Sequence, residues 1–459
     1  MGGNRLSALD AGFLAIESPS APMHVGWVAS FDPPPDGPRP AFAELLVHVA
    51  ERLADAPRYR QRLADVPLGL HEPVWVDDAG FDPAAHLLHA EGDDLEAIVD
   101  DILSSPLRRD RPLWEIWIAD GLPHGRVALI GKMHHCMVDG GAVVELGRLL
   151  LDAQPGAWRE RGRGGDGAWS VAPAPSPGER LARAVADRAA EGLAVALAPV
   201  RWAGSPARLG RLPGEAVRSA RTLAHTLLPP APASSLNRPG AARRHHVRLT
   251  RPLDDLRTVR RRFGVTPNDV VLAACAGALR RLAERRGEPP QRLKAMVPAD
   301  VRSSADAAES GNRISFLFLE LPCDEPDPVA RLQAIHAATA QRARDAEADR
   351  VDAAFRAVSL TPGPVQRALA RAFAHPRLFN LTVSSVPGPA VPRYLRGCRL
   401  REVHSAVPLA GRHALSIGVV TVARQACFGL YADAATLPDA DALGADLHGA
   451  LDELVALPR

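Results

Sequence analysis

The chain has almost no lysine: of its 55 basic residues, only Lys132 and Lys294 are not arginine. That imbalance fits coding bias toward Arg, Ala, Pro and Gly, and by itself it marks no anion site. An excess of one charge sign is missing too. The 55 basic residues face 53 acidic ones, for a net charge of +2, whereas a nucleic-acid binder shows a strong basic bias. Cysteine is sparse. Cys136, Cys275, Cys323, Cys398 and Cys427 lie far apart with no CxxC pair, so reduced thiols are expected rather than a disulfide framework or a zinc site. No run approaches the roughly 18 uninterrupted apolar residues that a membrane-spanning helix needs. The N-terminal stretch MGGNRLSALDAGFL has no basic region followed by a long apolar one, so no secretory leader is expected. These absences favour a cytoplasmic protein. Several chemical signatures are also lacking: a GxSxG elbow, a GxxxxGK[ST] loop and a strand-flanked GxGxxG.

What is present is globular in balance, with 46% apolar and 24% charged residues over 459 positions. At about 100–200 residues per domain, that length suits two or three domains. The alternating MHVGWVASF at 23–31 predicts a strand. Phe42, Leu45, Leu46, Val49 and Leu53 recur at helical spacing and predict a helix over 41–54. Short strands are expected at 74–76 and 113–118, and a helix at 94–105. RVALIGKMHH reads as a buried strand, and AVVELGRLLLDA after it as a helix.

The stretch 154–180, rich in Pro, Gly, Ser and Arg, reads as a mobile linker or surface loop, and 180–228 as helical. The second half repeats the alternation. It has strands at 245–250, AMVP, RISFLFLEL, LTVSSV, ALSIGVVTVA and ACFGLYAD, and helices at 267–286, 326–347 and 438–456. Thr266 and Pro267 have the residue types of an N-cap and a first helical position. The fold class is therefore α/β, in three parts: 1–153, a linker and helical connector at 154–235, and 236–459.

The sharp chemical signal is His134-His135-Cys136-Met137-Val138-Asp139-Gly140, at the end of a buried strand and before a helix. Strand ends in α/β sheets commonly present reactive groups. Neighbouring strand residues point to opposite faces, so only one histidine faces a given cleft. An imidazole near neutral pKa can take a proton from an alcohol or thiol. Asp139 could orient the loop or the ring, and Gly140 permits a tight turn. The alternatives are two hydrogen-bonded core histidines, or a metal site, which adjacent histidines without HExxH or a cysteine cluster support poorly; no metal is expected. His24 and His404 are expected to be ordinary, partly buried histidines, and His245-His246, with no DG after it, a surface strand.

The ordered motifs LSALDAGFLAIESPSAPMHVG, DRPLWE, HHCMVDG, PNDVVLA, VPADVR, GNRIS, NLTVSSVPGP and FGLYAD resemble, nearly end to end, those of the bacterial wax ester synthase/diacylglycerol acyltransferase family. Two departures stand out. Ser384-Ser385-Val386 replaces a pattern with a middle asparagine, and VVTVARQACFG replaces one with a Ser-Tyr pair and a glycine turn.

The resemblance implies two chloramphenicol-acetyltransferase-like subdomains with a tunnel at their interface. It implies transfer of a long acyl chain from acyl-CoA to diacylglycerol or a long-chain alcohol, with no cofactor. His135 would be the general base, His134 its neighbour, and Asn268 a donor to the oxyanion. Pro112, Leu113 and Trp114 would pack or line the tunnel, Ser384 would lie near the thioester, and Gly388, grouped with them as substrate-binding, would serve a turn after Pro387. Asp269 would be structural, and Asp139 would pair with Arg302, with Arg60 in reserve. Peripheral association with a membrane or lipid droplet would rest on the helices in 180–228. A condensation-type enzyme using a carrier-protein thioester, or a non-catalytic lipid-binding member of the fold, are the alternatives.

Overall fold

The computed structural model describes residues 5–35, 38–137, 140–157, 171–203, 229–300, 314–344, 361 and 363–457. In the first half, helix α1 (Ala8–Ile16) leads into β1 (His24–Asp32), α2 (Phe42–Leu53), β2 (Gln61–Ala64), β3 (Val74–Asp77) and β4 (Leu87–His89). There follow α3 (Leu95–Ser104), β5 (Trp114–Ala119), β6 (Val127–His134) and α4 (Gly140–Leu150). Helix α5 (Pro177–Ala203) connects to the second half. That half holds β7 (Arg244–Pro252), α6 (Leu253–Phe263), α7 (Pro267–Arg285), β8 (Leu293–Asp300), β9 (Ile314–Leu321), α8 (Pro328–Arg344) and α9 (Gly363–Phe373). It ends with β10 (Leu381–Pro387), β11 (Tyr394–Leu395), β12 (Cys398–Ala406), β13 (Leu415–Val422), β14 (Gln425–Asp433) and α10 (Ala440–Ala456).

Two six-stranded sheets organise these elements, in the orders β11-β12-β1-β6-β5-β4 and β7-β14-β13-β10-β8-β9. Both are mixed. β4 runs parallel to β5, and β10 parallel to β13 and β8, while the other pairs are antiparallel. A mixed α/β architecture was expected, and the strands expected at 23–31, 245–250 and in the β6, β9, β13 and β14 segments are present. Helix α5 begins at Pro177, inside the stretch read as a linker, because Ser176 and Glu179 form a reciprocal cap. Residues 158–170 and 204–228 of the expected linker and connector lie outside the described residues.

The second half lends two strands to the first sheet. β12 pairs with β1, Ser405 opposite Trp27 and His404 opposite Val28, so the sheets are stitched together rather than merely docked. At the seam, Gly418 and Gly429 face each other across β13 and β14. A Cβ on Gly418 would sit 2.1 Å from Ser405 Oγ, and one on Gly429 2.2 Å from Ser405 O. Only glycine at both positions lets β12 approach this closely.

The seam overturns one expectation. His245-His246 was read as a surface strand, but β12 covers that face of β7 and His246 is fully buried. Its Nε2–H donates to Ser405 O at 3.2 Å. Burial and the neighbouring His404 and Arg248 push its pKa down to about 3. His24 and His404 are likewise fully buried rather than partly so.

Candidate active site

The site grows from the end of β6, whose residues are all buried. Lys132 and His134 share one face of that strand with the cross-strand His24, which sits opposite His134 in register. The Lys132 ammonium donates to Ile102 O (3.2 Å) and Ser105 O (2.9 Å) at the C-terminal end of α3, and lies 3.1 Å from Glu115 Oε2. A cation suits that end of a helix dipole. Burial lowers its pKa and Glu115 pulls the other way. Burial and the Lys132 charge push His24 down to about 3, so it is neutral, and its Nε2–H donates to Leu103 O at 3.0 Å.

The two histidines of the motif are held by different strands. His134 N–H donates to Leu113 O (2.9 Å) and His135 N–H to Met23 O (2.8 Å). Met137 N–H then donates to His134 O (2.9 Å), which closes the turn. Cys136 N–H donates to His134 Nδ1 at 3.1 Å, so that nitrogen carries the lone pair and the proton sits on Nε2. Nε2 lies 3.4 Å from Glu17 Oε1. Burial pushes the Glu17 carboxyl up, but His134 and the Arg109 guanidinium outweigh it and hold it near 2. Arg109 Nε donates to Glu17 Oε2 at 2.8 Å.

His135 lies past the strand end and is half-buried. Its ring stacks on Phe13 of α1, centroids 3.8 Å apart and planes 17° from parallel. The next element, α4, begins at Gly140, while Val138 and Asp139 lie outside the described residues. Arg302 does as well, so the expected Asp139–Arg302 pair lies outside the described residues.

Pro112, Leu113 and Trp114 are buried directly behind the turn. The Trp114 indole N–H donates to Tyr59 O at 2.7 Å, and its ring stacks on His86 at 4.7 Å. Leu113 packs with Leu6, Trp75 and Cys136. The tripeptide therefore supports the histidines through packing and through the Leu113 carbonyl.

The remaining candidates belong to the second sheet and its helices. Asn268 is half-buried in the first turn of α7. Asp269 is fully buried and forms a capping box with Thr266. It also accepts from His336 Nδ1 (2.8 Å) and Thr339 Oγ1 (2.7 Å). Burial raises the pKa of its carboxyl, but these donors outweigh that and lower it. Ser384 on β10 is half-buried, beside Gly418 in register. Gly388 follows β10 where a Cβ would come within 2.3 Å of Thr421 O, so a side chain there would force the chain off β13. The structure thus gathers His134, His135 and Leu113 with two residues that sequence reading missed, Phe13 and Glu17. The signal for both was the N-cap pattern Ser7-x-x-Asp10, which announces α1.

The profile of the wax ester synthase/diacylglycerol acyltransferase catalytic domain matches residues 6–271, and that of the family's C-terminal domain matches residues 310–455. A probable diacylglycerol O-acyltransferase of Mycobacterium tuberculosis is 30% identical over 466 residues, covering 99% of this chain and 96% of the relative. A putative diacylglycerol O-acyltransferase of the same species is 33% identical over 473 residues, covering 98% of this chain and 90% of the relative. Among solved structures, the wax ester synthase/diacylglycerol acyltransferase of Marinobacter aquaeolei VT8 superposes with a TM-score of 0.70 at 25% identity, over 98% of both chains. The starter condensation domain of rhizomide synthetase superposes at 0.60 with 16% identity, over 99% of this chain and 94% of that one, which is a likeness of fold alone.

Proposed function

The chain belongs to the wax ester synthase/diacylglycerol acyltransferase family, and we propose that His135 is the general base with which it performs the family's transfer. It is an O-acyltransferase acting in triacylglycerol and wax ester synthesis: a long acyl chain passes from acyl-CoA to the hydroxyl of diacylglycerol or of a long-chain alcohol. The observation that carries the base assignment is the division of labour within the histidine pair. His134 is fully buried, with Nδ1 engaged by Cys136 N–H and Nε2 beside Glu17. His135 is the half-buried ring at the strand end.

In this reading the His135 imidazole takes the hydroxyl proton as the oxygen attacks the thioester carbonyl. The tetrahedral oxyanion collapses, the C–S bond breaks, and the proton passes to the departing CoA thiolate. Holding both substrates at once makes a covalent acyl-enzyme unnecessary. Asn268 supplies a polar donor toward the oxyanion, and the chemistry calls for no cofactor. The two substrates enter from opposite sides of the junction between the sheets.

No helix among the described residues is long and apolar enough to cross a membrane. Contact with a membrane or lipid-droplet surface falls to α5, which leaves Val185 and Leu193 at 53% and 60% exposure among its arginines.

The experiment is an acceptor panel. Purified protein receives palmitoyl-CoA with either diacylglycerol or hexadecanol, and products are read by mass. Triacylglycerol or wax ester formed by the native chain and lost in His135→Ala supports the reading. Turnover retained by a folded His135→Ala variant overturns the base assignment. Turnover with a carrier-protein thioester but not with free acyl-CoA would overturn the acyl-donor assignment.

A further inference from the structure

Helix α1 and its C-cap residue, Glu17, address both histidines at once. Phe13 and Glu17 stand four residues apart, about one helical turn. Phe13 stacks on His135 and Glu17 meets His134. The helix is held from several sides. Ser7 caps its first turn by accepting from Asp10 N–H at 3.1 Å. Leu14 packs against the Leu113 and Cys136 cluster behind the histidine turn. Leu9 packs against Phe316 and Phe318 of the second half. Gly12 lies so close to α9 that a Cβ there would come within 3.3 Å of the Ala370 Cβ. Phe13 is therefore presented by an element tied to both halves of the chain, and its ring cannot drift without disturbing those contacts.

We propose that Phe13 is a positioning residue for acyl transfer: its ring fixes the plane of the His135 imidazole and favours the imidazolium that forms when the acceptor hydroxyl gives up its proton. This rests on His135 being the base. A neutral imidazole and an imidazolium gain similar packing from a parallel phenyl ring 3.8 Å away. Only the cation gains from the negative face of the ring. The interaction therefore strengthens as the proton moves, which lowers the barrier rather than merely tightening the resting state. The proton balance is complete. It leaves the hydroxyl as the new C–O bond forms, resides on His135, and reaches the CoA sulfur as the C–S bond breaks. Stacking on Phe13 also covers one face of the imidazole.

The test compares three versions of the full chain at position 13. Phe13→Leu keeps apolar bulk and removes the ring face. Phe13→Tyr restores it. Pentafluorophenylalanine at position 13 keeps the shape and reverses the polarity of the face. The Leu and fluorinated versions should lose about 3–10-fold in kcat with KM little changed. Because the imidazolium loses a stabilising contact, the acidic limb of kcat/KM should move down by about half a pH unit. Phe13→Tyr should stay near wild type in both. If the Leu variant fails to fold, the fluorinated chain decides. A fluorinated chain with an unmoved acidic limb and kcat within about twofold of wild type overturns the proposal. His135→Ala, assayed alongside, separates the two readings: its retained turnover would remove the base itself, whereas its inactivity beside an unaffected fluorinated chain would remove only the role of Phe13.

Discussion

The chain carries the dipeptide His-His twice, once in each half, and the two pairs are built for different ends. In each pair one ring is fully buried: His134 on β6 and His246 on β7. The less buried rings differ most. His135 lies just past the end of its strand, within the turn closed by Met137 N–H and His134 O, and stacks on a phenyl face. His245 is clasped by carboxylates, its Nδ1–H donating to Asp100 Oδ2 at 2.6 Å and its Nε2–H to Asp441 Oδ1 at 3.1 Å. Burial opposes its charge, but those carboxylates outweigh it and raise its pKa. An imidazole whose two ring nitrogens both face carboxylates has no free lone pair with which to take a substrate's proton, and one desolvated as deeply as His246 is held neutral in the core. The dipeptide alone therefore carries no function; its place along the strand and its partners do.

The largest expected effect follows from that contrast. His135→Ala should reduce turnover by about 10²–10⁴-fold with the thermal midpoint nearly unchanged, since the ring is a reagent more than a strut. His246→Ala should do the reverse. It removes a buried ring at the seam and leaves Ser405 O without its donor, at a cost of about 1–3 kcal/mol. Activity per folded molecule should stay near wild type. Thermal denaturation and single-turnover assays on both variants test the crossing, and a His246→Ala chain as inactive as His135→Ala would erase the distinction.

The pH dependence of the seam is a further expectation. His24, His246 and His404 each have a folded pKa pushed by burial to about 3, below the usual imidazole value near 6.5. Between pH 6.5 and 3 the unfolded chain binds more protons at these sites, so stability falls as pH falls through that window. His246→Phe should flatten that decline, measured as midpoint against pH. A midpoint that falls just as steeply in the variant would show that His246 does not contribute to the decline.

Glu17 sharpens the first pair on a smaller scale. Glu17→Gln keeps the shape beside His134 Nε2 but removes the charge facing Arg109. About a tenfold loss in kcat is expected, with substrate KM little changed, because His134 and the turn after it are less firmly placed. A substrate KM that rises while kcat holds would assign Glu17 to binding instead.

Much of this was written locally. β6 was legible because a continuous apolar run ending in a turn is what a doubly covered strand requires. The start of α7 was legible because Thr266 and Pro267 have the residue types of a helix start, and Thr266 caps it by accepting from Asp269 N–H. What was not legible depends on distant chain segments. Nothing near His246 says that β12, some 150 residues on, will roof it. β12 itself buries Cys398, Leu400, His404 and Ala406 on one face, but Glu402 and His404 interrupt the apolar alternation that would announce it in the sequence. Phe13 and Glu17 sit over 100 residues from the histidines they touch. The two lysines are instructive in the same way. Their rarity read as coding bias, yet both are buried, Lys132 donating to Ile102 O and Ser105 O and Lys294 to Pro229 O. A compact ammonium fits such carbonyl pockets where a planar guanidinium does not.

The smallest expected effect belongs to His245, and it tests whether the second pair has any chemistry at all. His245 joins Asp100 of α3 to Asp441 of α10, with Glu96 of α3 beside them, so its charge bridges the two halves. The carboxylates raise its folded pKa above the unfolded value. The stability it adds is therefore full below about pH 6.5 and is lost as pH climbs through the folded pKa. The site is partly open to solvent, so screening keeps the contribution below about 1 kcal/mol. His245→Gln retains hydrogen bonding without the charge. Its midpoint should drop slightly at pH 5.5 and match wild type by pH 9, and 1 M salt should shrink the difference. Turnover should be unchanged at every pH. A His245→Gln chain that is slower at constant stability would give this pair a share in catalysis and dissolve the contrast between the two histidine pairs.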